Sequence, residues 1–329
     1  MALAETTTTA PKKPRILLID TLRGLALIAM ASYHFTWDLG FFGYIPPETA
    51  TEGYWKLYAR CIASSFLFLA GLSLVLAHVP EIRWRSFGKR FAMVAAAALV
   101  ISIGTYIAMP GEWIHFGILH NIAISGFIGL AFLRVAPTLT ALVAIAIAVA
   151  GYVDAYVSPG IFSSAFFDPR YLSWTGLAGT PPRSNDFVPL FPWLAAPLAG
   201  IAFGRLALDR GWLARLASLQ TKPNILGLAG RHSLAFYLIH QPVLIGLVYL
   251  FSLVHPAPVP DPMEGYMRSC QAGCVGSGEE AGLCQRFCAC TGEGLAAQSL
   301  LVPMQQGLIN AQTDTRVQAL AQECSISAQ

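Results

Sequence analysis

The chain has 329 residues, of which 55% are hydrophobic and only 12% charged, with a mean hydropathy of +0.56. Soluble domains carry about 25% charged residues, so this composition excludes an ordinary soluble enzyme and points into a bilayer. The net charge of +3 is small, and Lys and Arg are dispersed through loops rather than gathered in one patch, which excludes a nucleic-acid-binding surface.

Residues 1–15 are polar and Thr-rich and are expected to form a cytoplasmic tail. The apolar run 16–37 that follows carries Asp20 and Arg23 and has no small-residue cleavage site after it, so no cleavable signal peptide is expected. Windows 91–109, 115–133, 137–158 and 233–254 are long and almost uncharged, enough to cross a core of about 30 Å. Residues 16–37, 55–78 and 188–208 qualify with a few charges. The fold expected is therefore all-α, a polytopic integral membrane helix bundle of about seven transmembrane helices over residues 16–254. A small Cys-rich helical tail over 255–329 follows it. Basic residues cluster at Lys12, Lys13 and Arg15, then Arg83 to Arg90, Arg134, and Arg205 to Lys222. The positive-inside rule then puts the N-terminus in the cytoplasm and the C-terminus outside.

The first helix carries an unusual polar stripe. At 3.6 residues per turn, Asp20, Arg23, His34 and Asp38 fall on one face. Asp20 is placed to pair with Arg23 and offset the cost of burying a guanidinium. Asp38, one turn beyond His34, is placed to accept from the imidazole and fix its tautomer. The stripe either fastens this helix to its neighbours or forms a site.

Later helices add to it. "WIHFGILHNIAIS" opens the fourth helix with His115, an interfacial or site residue, and the deeper His120 and Asn121. Residues 160–187 form a long outer loop of the kind that carries function, and "NDFVPLFPW" then opens the sixth helix with Asp186, Pro192 and Trp193. Pro192 either breaks that helix at a cavity or occupies its first turn. The seventh helix begins "GRHSLAFYLIHQP", where Arg231, Ser233, Tyr237, His240 and Gln241 are too polar for a plain anchor.

Six of the seven cysteines lie beyond residue 269. Cys270-x3-Cys274 and Cys284-x3-Cys288 each share a helix face, so two short helices stapled by disulfides are expected. Natural nesting pairs Cys270 with Cys288 and Cys274 with Cys284, leaving Cys290 and Cys324. Pairing does not follow from sequence alone, and a metal site is the rival reading. Cys61 stands alone in an apolar helix and is expected to pack inside it.

Arg23-x10-His34 within "IDTLRGLALIAMASYH" resembles the signature of membrane-bound acyltransferases. "FGILHNIAIS", "PLFPW" and "GRHSLAFYLIHQPVLIG" resemble the bacterial proteins grouped with the catalytic domain of heparan-alpha-glucosaminide N-acetyltransferase, over roughly residues 15–254. The resemblance implies an enzyme of the inner (cytoplasmic) membrane. It would take acetyl from cytoplasmic acetyl-CoA and deliver it across the bilayer to a sugar amine or hydroxyl on an extracytoplasmic glycan. The family's catalytic histidine falls on His34. The chain departs from such acyltransferases in having fewer helices and a Cys-rich tail.

Acyl transfer needs a base to take the proton of the attacking group, and a neutral imidazole suits that task. The catalytic candidates are His34, Asp38 and His120. The acetyl-CoA-binding candidates are Arg23, Arg231, Ser233, Tyr237, His240 and Gln241. No metal ligand set is expected. The bilayer and the glycan acceptor are the expected partners, nucleic acid is not, and the oligomeric state, a homodimer included, is left open. A transporter or flippase using the same polar groups is the alternative, and a passive subunit displaying the stapled tail is a third reading.

Overall fold

The computed structural model describes residues 16–220, 222–258 and 261–328. Lys12, Lys13 and Arg15, used above for orientation, lie outside these residues. The chain divides into two compact units, one made of the chain up to Phe41 with Ile45–Phe251, the other of Phe42–Tyr44 with the residues from Ser252 onward.

The first unit is helical throughout its regular structure. Its helices are α1 (Leu17–Phe41), α2 (Gly53–His78), α3 (Trp84–Ala108), α4 (Ile118–Phe132), α5 (Pro137–Tyr152), α6 (Ala195–Asp209), α7 (Trp212–Leu219), α8 (Ile225–Arg231) and α9 (Ser233–Val254). Each of the seven apolar windows thus forms a helix. Five helical stretches are long and apolar enough to cross a membrane: 53–78, 84–108, 137–157, 190–209 and 233–254. Of the other two, α1 is 25 residues long but carries charges, and α4 has only 15 residues, about 22 Å of helix. In the described residues the chain is an all-α membrane bundle.

Its sides are apolar outward as well as inward. Leu99, Ile103 and Ile107 on α3, and Leu142, Ile145 and Val149 on α5, are all exposed, as a helix facing hydrocarbon requires. Cys61 is among the exposed residues of α2 rather than packed inside, which corrects its reading as an interior residue. The core between α2, α4, α5 and α6 is built from Leu74, Val75, Leu130, Ala144, Leu198 and Ile201.

Close helix approach in such a bundle depends on small residues at crossings. At Gly71 of α2, an added Cβ would overlap the backbone carbonyl of Pro197 on α6. Backbone cannot swing away as a side-chain tip can, so the two helices would have to part.

The second unit holds α10 (Pro262–Gly276), α11 (Ala281–Ala297), α12 (Leu301–Gln305) and α13 (Thr315–Ser327). Asp261 and Asp314 cap α10 and α13 by accepting from the N–H of Met263 and Arg316. Disulfides join Cys270 to Cys288, Cys274 to Cys284 and Cys290 to Cys324, with Cα atoms 5.9, 5.7 and 5.7 Å apart. The nested pairing follows from the four-residue spacing: two antiparallel helices each present two sulfurs one turn apart. Leu295, Leu300, Leu301, Val317 and Leu320 complete a core too small to leave without such staples.

Gly71→Ala is expected to lower the thermal midpoint of the purified protein, by a loss of about 1–3 kcal/mol characteristic of overpacking. Gly104→Ala on α3, where an added Cβ meets nothing within 4 Å, should leave the midpoint unchanged or raise it. Equal effects at the two positions would contradict the close α2–α6 crossing.

Candidate functional site

The polar stripe of α1 is used at both ends. Near its start, Arg23 Nη1 donates to Asp20 Oδ1 at 2.8 Å, and the side chains are 19% and 4% exposed. Arg23 Nη2 also donates to Ser73 Oγ of α2. The expected Asp20–Arg23 pair is therefore formed and is anchored to a second helix, which fixes the guanidinium.

Three turns further on, α1 meets α9. The rings of His34 and His240 lie edge to face with centroids 5.0 Å apart. His240 Nδ1 is 2.7 Å from the Tyr237 carbonyl. A carbonyl only accepts, so Nδ1 carries the proton and Nε2 is left as a lone-pair acceptor. The next rung pairs Asp38 Oδ1 with Gln241 Nε2 at 2.7 Å. This corrects the expectation that Asp38 accepts from His34: the fully buried carboxylate takes its hydrogen bond from the neighbouring helix instead. Asp38 Oδ2, Gln241 Oε1 and His240 Nε2 are all buried without a protein partner.

The long loop supplies what the stripe lacks. Within it, Ser164 and Ala178 form a lone bridge and Leu190–Trp193 form a helical turn before α6, so Pro192 sits at a break between two helical pieces. Asp186 Oδ2 accepts the backbone N–H of Ile118 at 3.0 Å and the Tyr237 hydroxyl at 3.5 Å. Ile118 is the first residue of α4, whose orphan N–H groups otherwise lack partners. Gly117 makes this approach possible, because a Cβ there would collide with the same carboxylate oxygen. Desolvation pushes the Asp186 carboxyl above the usual carboxylate range, while the hydrogen bonds from Ile118 and Tyr237 pull it back. Asn121 ties the loop down further, donating to the carbonyls of Val188 and Pro189 at 3.0 Å each.

Two cavities flank this centre. One, of about 290 Å³, is lined by His34, Tyr33, Lys56, Arg60, Asp186 and Trp193 among others. The second, of about 510 Å³, is lined by Arg23, Arg90, Arg231, His232 and Ser233 among others. Phe66, Ile118 and Tyr237 belong to the linings of both. They form a common wall.

The expected residues therefore sort differently from their sequence grouping. Arg23, Arg231, Ser233 and Tyr237 line the arginine cavity together. His240 and Gln241 do not; they face His34 and Asp38. His120 is also apart from His34. Its Nδ1 accepts from Gly117 N–H and its Nε2 lies 3.2 Å from Ser102 Oγ. Accepting at Nδ1 puts the proton on Nε2, and Ser102 in turn donates to the Ile114 carbonyl. Both ring nitrogens of His120 are thus engaged at the entry to α4. Of the loop cations, Arg90 lines a cavity, whereas Arg83 donates to the Ala77 carbonyl and Arg205 to that of Leu133. Asp186 was visible in "NDFVPLFPW" only as a polar residue before a helix; nothing local announces its partners.

Residues 15–242 match the family model described as heparan-alpha-glucosaminide N-acetyltransferase, catalytic. No curated protein and no solved structure matches the chain.

Asp186→Ala strands the Ile118 N–H and should cost about 1–3 kcal/mol of stability, seen in thermal unfolding. Asp186→Asn keeps an acceptor and should lose much less. Indistinguishable variants would contradict the capping role.

Proposed function

The chain belongs to the heparan-alpha-glucosaminide N-acetyltransferase catalytic family, and we propose that it moves acetyl from cytoplasmic acetyl-CoA to a sugar amine or hydroxyl on the far side of the membrane. The observation that carries this reading is the common wall of Phe66, Ile118 and Tyr237 between two cavities, one lined by His34 and the other by three arginines. An acetyltransferase working across a bilayer needs a donor site and an acceptor site that meet at one point.

The arginine cavity suits the donor. CoA brings phosphates, which guanidinium groups bind in fork geometry, and Arg23, Arg90 and Arg231 line one space. Its volume lies in the range of about 300–1,000 Å³ common to ligand sites. The positive-inside rule supports a cytoplasmic opening for it, because the basic loops lie at the Arg23 end of α1 in this reading. The His34 cavity suits the acceptor. Tyr33 and Trp193 offer rings to a sugar face, and Asp186, Lys56 and Arg60 offer polar contacts.

His34 takes the proton of the attacking amine or hydroxyl as its nitrogen or oxygen bonds to the acetyl carbon. His240 holds the His34 ring from α9, and the Asp38–Gln241 pair fixes the two helices one turn beyond. Arg23 sits about 16 Å along α1 from His34, too far to touch the reacting carbon, and serves the CoA end. In this reading residues 16–254 form the acyltransferase domain, and 255–329 an extracytoplasmic tail in an oxidising compartment that sustains its disulfides.

The test is turnover of labelled acetyl-CoA by purified protein, for the wild type and for His34→Gln, which keeps size and hydrogen bonding. Loss of a general base should lower the rate by about 10²–10⁴-fold while acetyl-CoA binding and folding persist. Normal turnover in His34→Gln would remove His34 from the chemistry. Substrate movement in liposomes without any CoA release would favour a transporter instead.

A further inference from the structure

The wall between the cavities says more about the chemistry than either cavity alone. An acetyl group passing from a thioester in one to a nucleophile in the other is, for an instant, bonded to both. Its carbon then stands at the wall, and its oxygen carries the negative charge of a tetrahedral intermediate. A preorganised hydrogen-bond donor aimed at that oxygen is commonly the largest single source of rate enhancement in acyl transfer.

The wall offers few donors. Phe66 has none, and the Ile118 N–H is already given to Asp186. Tyr237, which lines both cavities, brings the remaining one, a phenolic O–H. Its hydrogen bond to Asp186, at 3.5 Å, is at the outer limit of such bonds, so turning the O–H to a closer acceptor costs little. Asp186 keeps the Ile118 N–H when it does. The ring itself is held still. It packs at once against the Leu27–Met30–Ile62, Leu67–Ile118–Val188 and Ala97–Ala98–Leu119 clusters, and its backbone carbonyl accepts from His240. Rigid support of this kind is what an oxyanion donor requires.

We propose that Tyr237 is a catalytic residue whose hydroxyl binds the oxyanion formed when the acceptor attacks the acetyl thioester. This rests on the acetyltransferase reading above. As the nitrogen or oxygen of the acceptor bonds to the carbonyl carbon, the C=O electron pair moves onto oxygen and the acceptor's proton goes to His34. On collapse the pair returns, the C–S bond breaks, and the thiolate of CoA leaves with the bonding electrons. The Tyr237 proton stays on its own oxygen throughout.

The experiment compares wild type and Tyr237→Phe in detergent, following CoA release from acetyl-CoA with glucosamine supplied as acceptor. It also measures labelled acetyl-CoA binding and the pH–rate profile of each. Tyr237→Phe keeps the ring and its packing, so binding should be unchanged and report a folded site. The expected result is a kcat lower by about 10²–10³-fold, with KM nearly constant and the pH profile lowered but unchanged in shape. Wild-type turnover with a variant within a few-fold of it would overturn the proposal. So would lost acetyl-CoA binding, which makes Tyr237 a donor-site contact, or loss of one limb of the profile, which makes it a proton donor. Failure of the wild type itself to release CoA would sink the acetyltransferase reading first, and this one with it.

Discussion

An α-helix that starts inside a membrane bundle has to find partners for its first N–H groups within the protein, because hydrocarbon supplies none. That constraint organises this molecule. Helix α4 begins at Ile118, and the Asp186 carboxylate meets that N–H at 3.0 Å. To reach it, the chain between α5 and α6 folds inward, held by Asn121 through two carbonyls. At the other side of the same junction, His120 and Ser102 hold the Gly117 and Ile114 backbone. With the start of α4 fixed, Asp186 stands beside Tyr237 of α9 and lines the His34 cavity. The polar groups needed to begin one helix thus become the floor of a site.

Helix α1 links the two cavities. Its Arg23 end is tied to Asp20 and Ser73, and its His34 end to α9 through His240 and through Asp38–Gln241. Each polar residue is costly in hydrocarbon, and each is offset by a partner on another helix or by a place at a cavity. Apolar packing of its Leu27 and Met30 against Ile62 of α2 keeps the helix in register between them. The arginine cavity and the His34 cavity are thereby joined by one rigid element, with Tyr237 lining both.

Much of this was legible in the sequence, for reasons that are local. Hydropathy marks the helices because a bilayer demands long apolar runs. The Asp20–Arg23 pair and the nested disulfides follow from residues three and four apart sharing a helix face. The His34–His240 contact and the Asp38–Gln241 bond are not local; they depend on where α1 crosses α9, some two hundred residues later, and the pattern along either helix leaves that open. The same ignorance put Asp38 on His34. The partners of the His120 ring, Gly117 and Ser102, were not legible either, since Ser102 lies on a different helix. Asp186 looked like the polar edge of a loop, since the orphan N–H it satisfies lies 68 residues before it. Cys61 was placed inside by its apolar setting, although in a membrane bundle an apolar setting also describes the outside.

The central claim is that two cavities reach one wall from opposite faces of the membrane. Single cysteines introduced by Ser233→Cys in the arginine cavity and Thr51→Cys in the His34 cavity, each in a Cys61→Ser background, test it without knowledge of the acceptor. A membrane-impermeant thiol reagent applied to right-side-out and to inverted vesicles reads the face from which each is reached. Labelling of Ser233→Cys from the cytoplasmic face alone and of Thr51→Cys from the opposite face alone is expected. Labelling of both from one face would contradict the two-sided site.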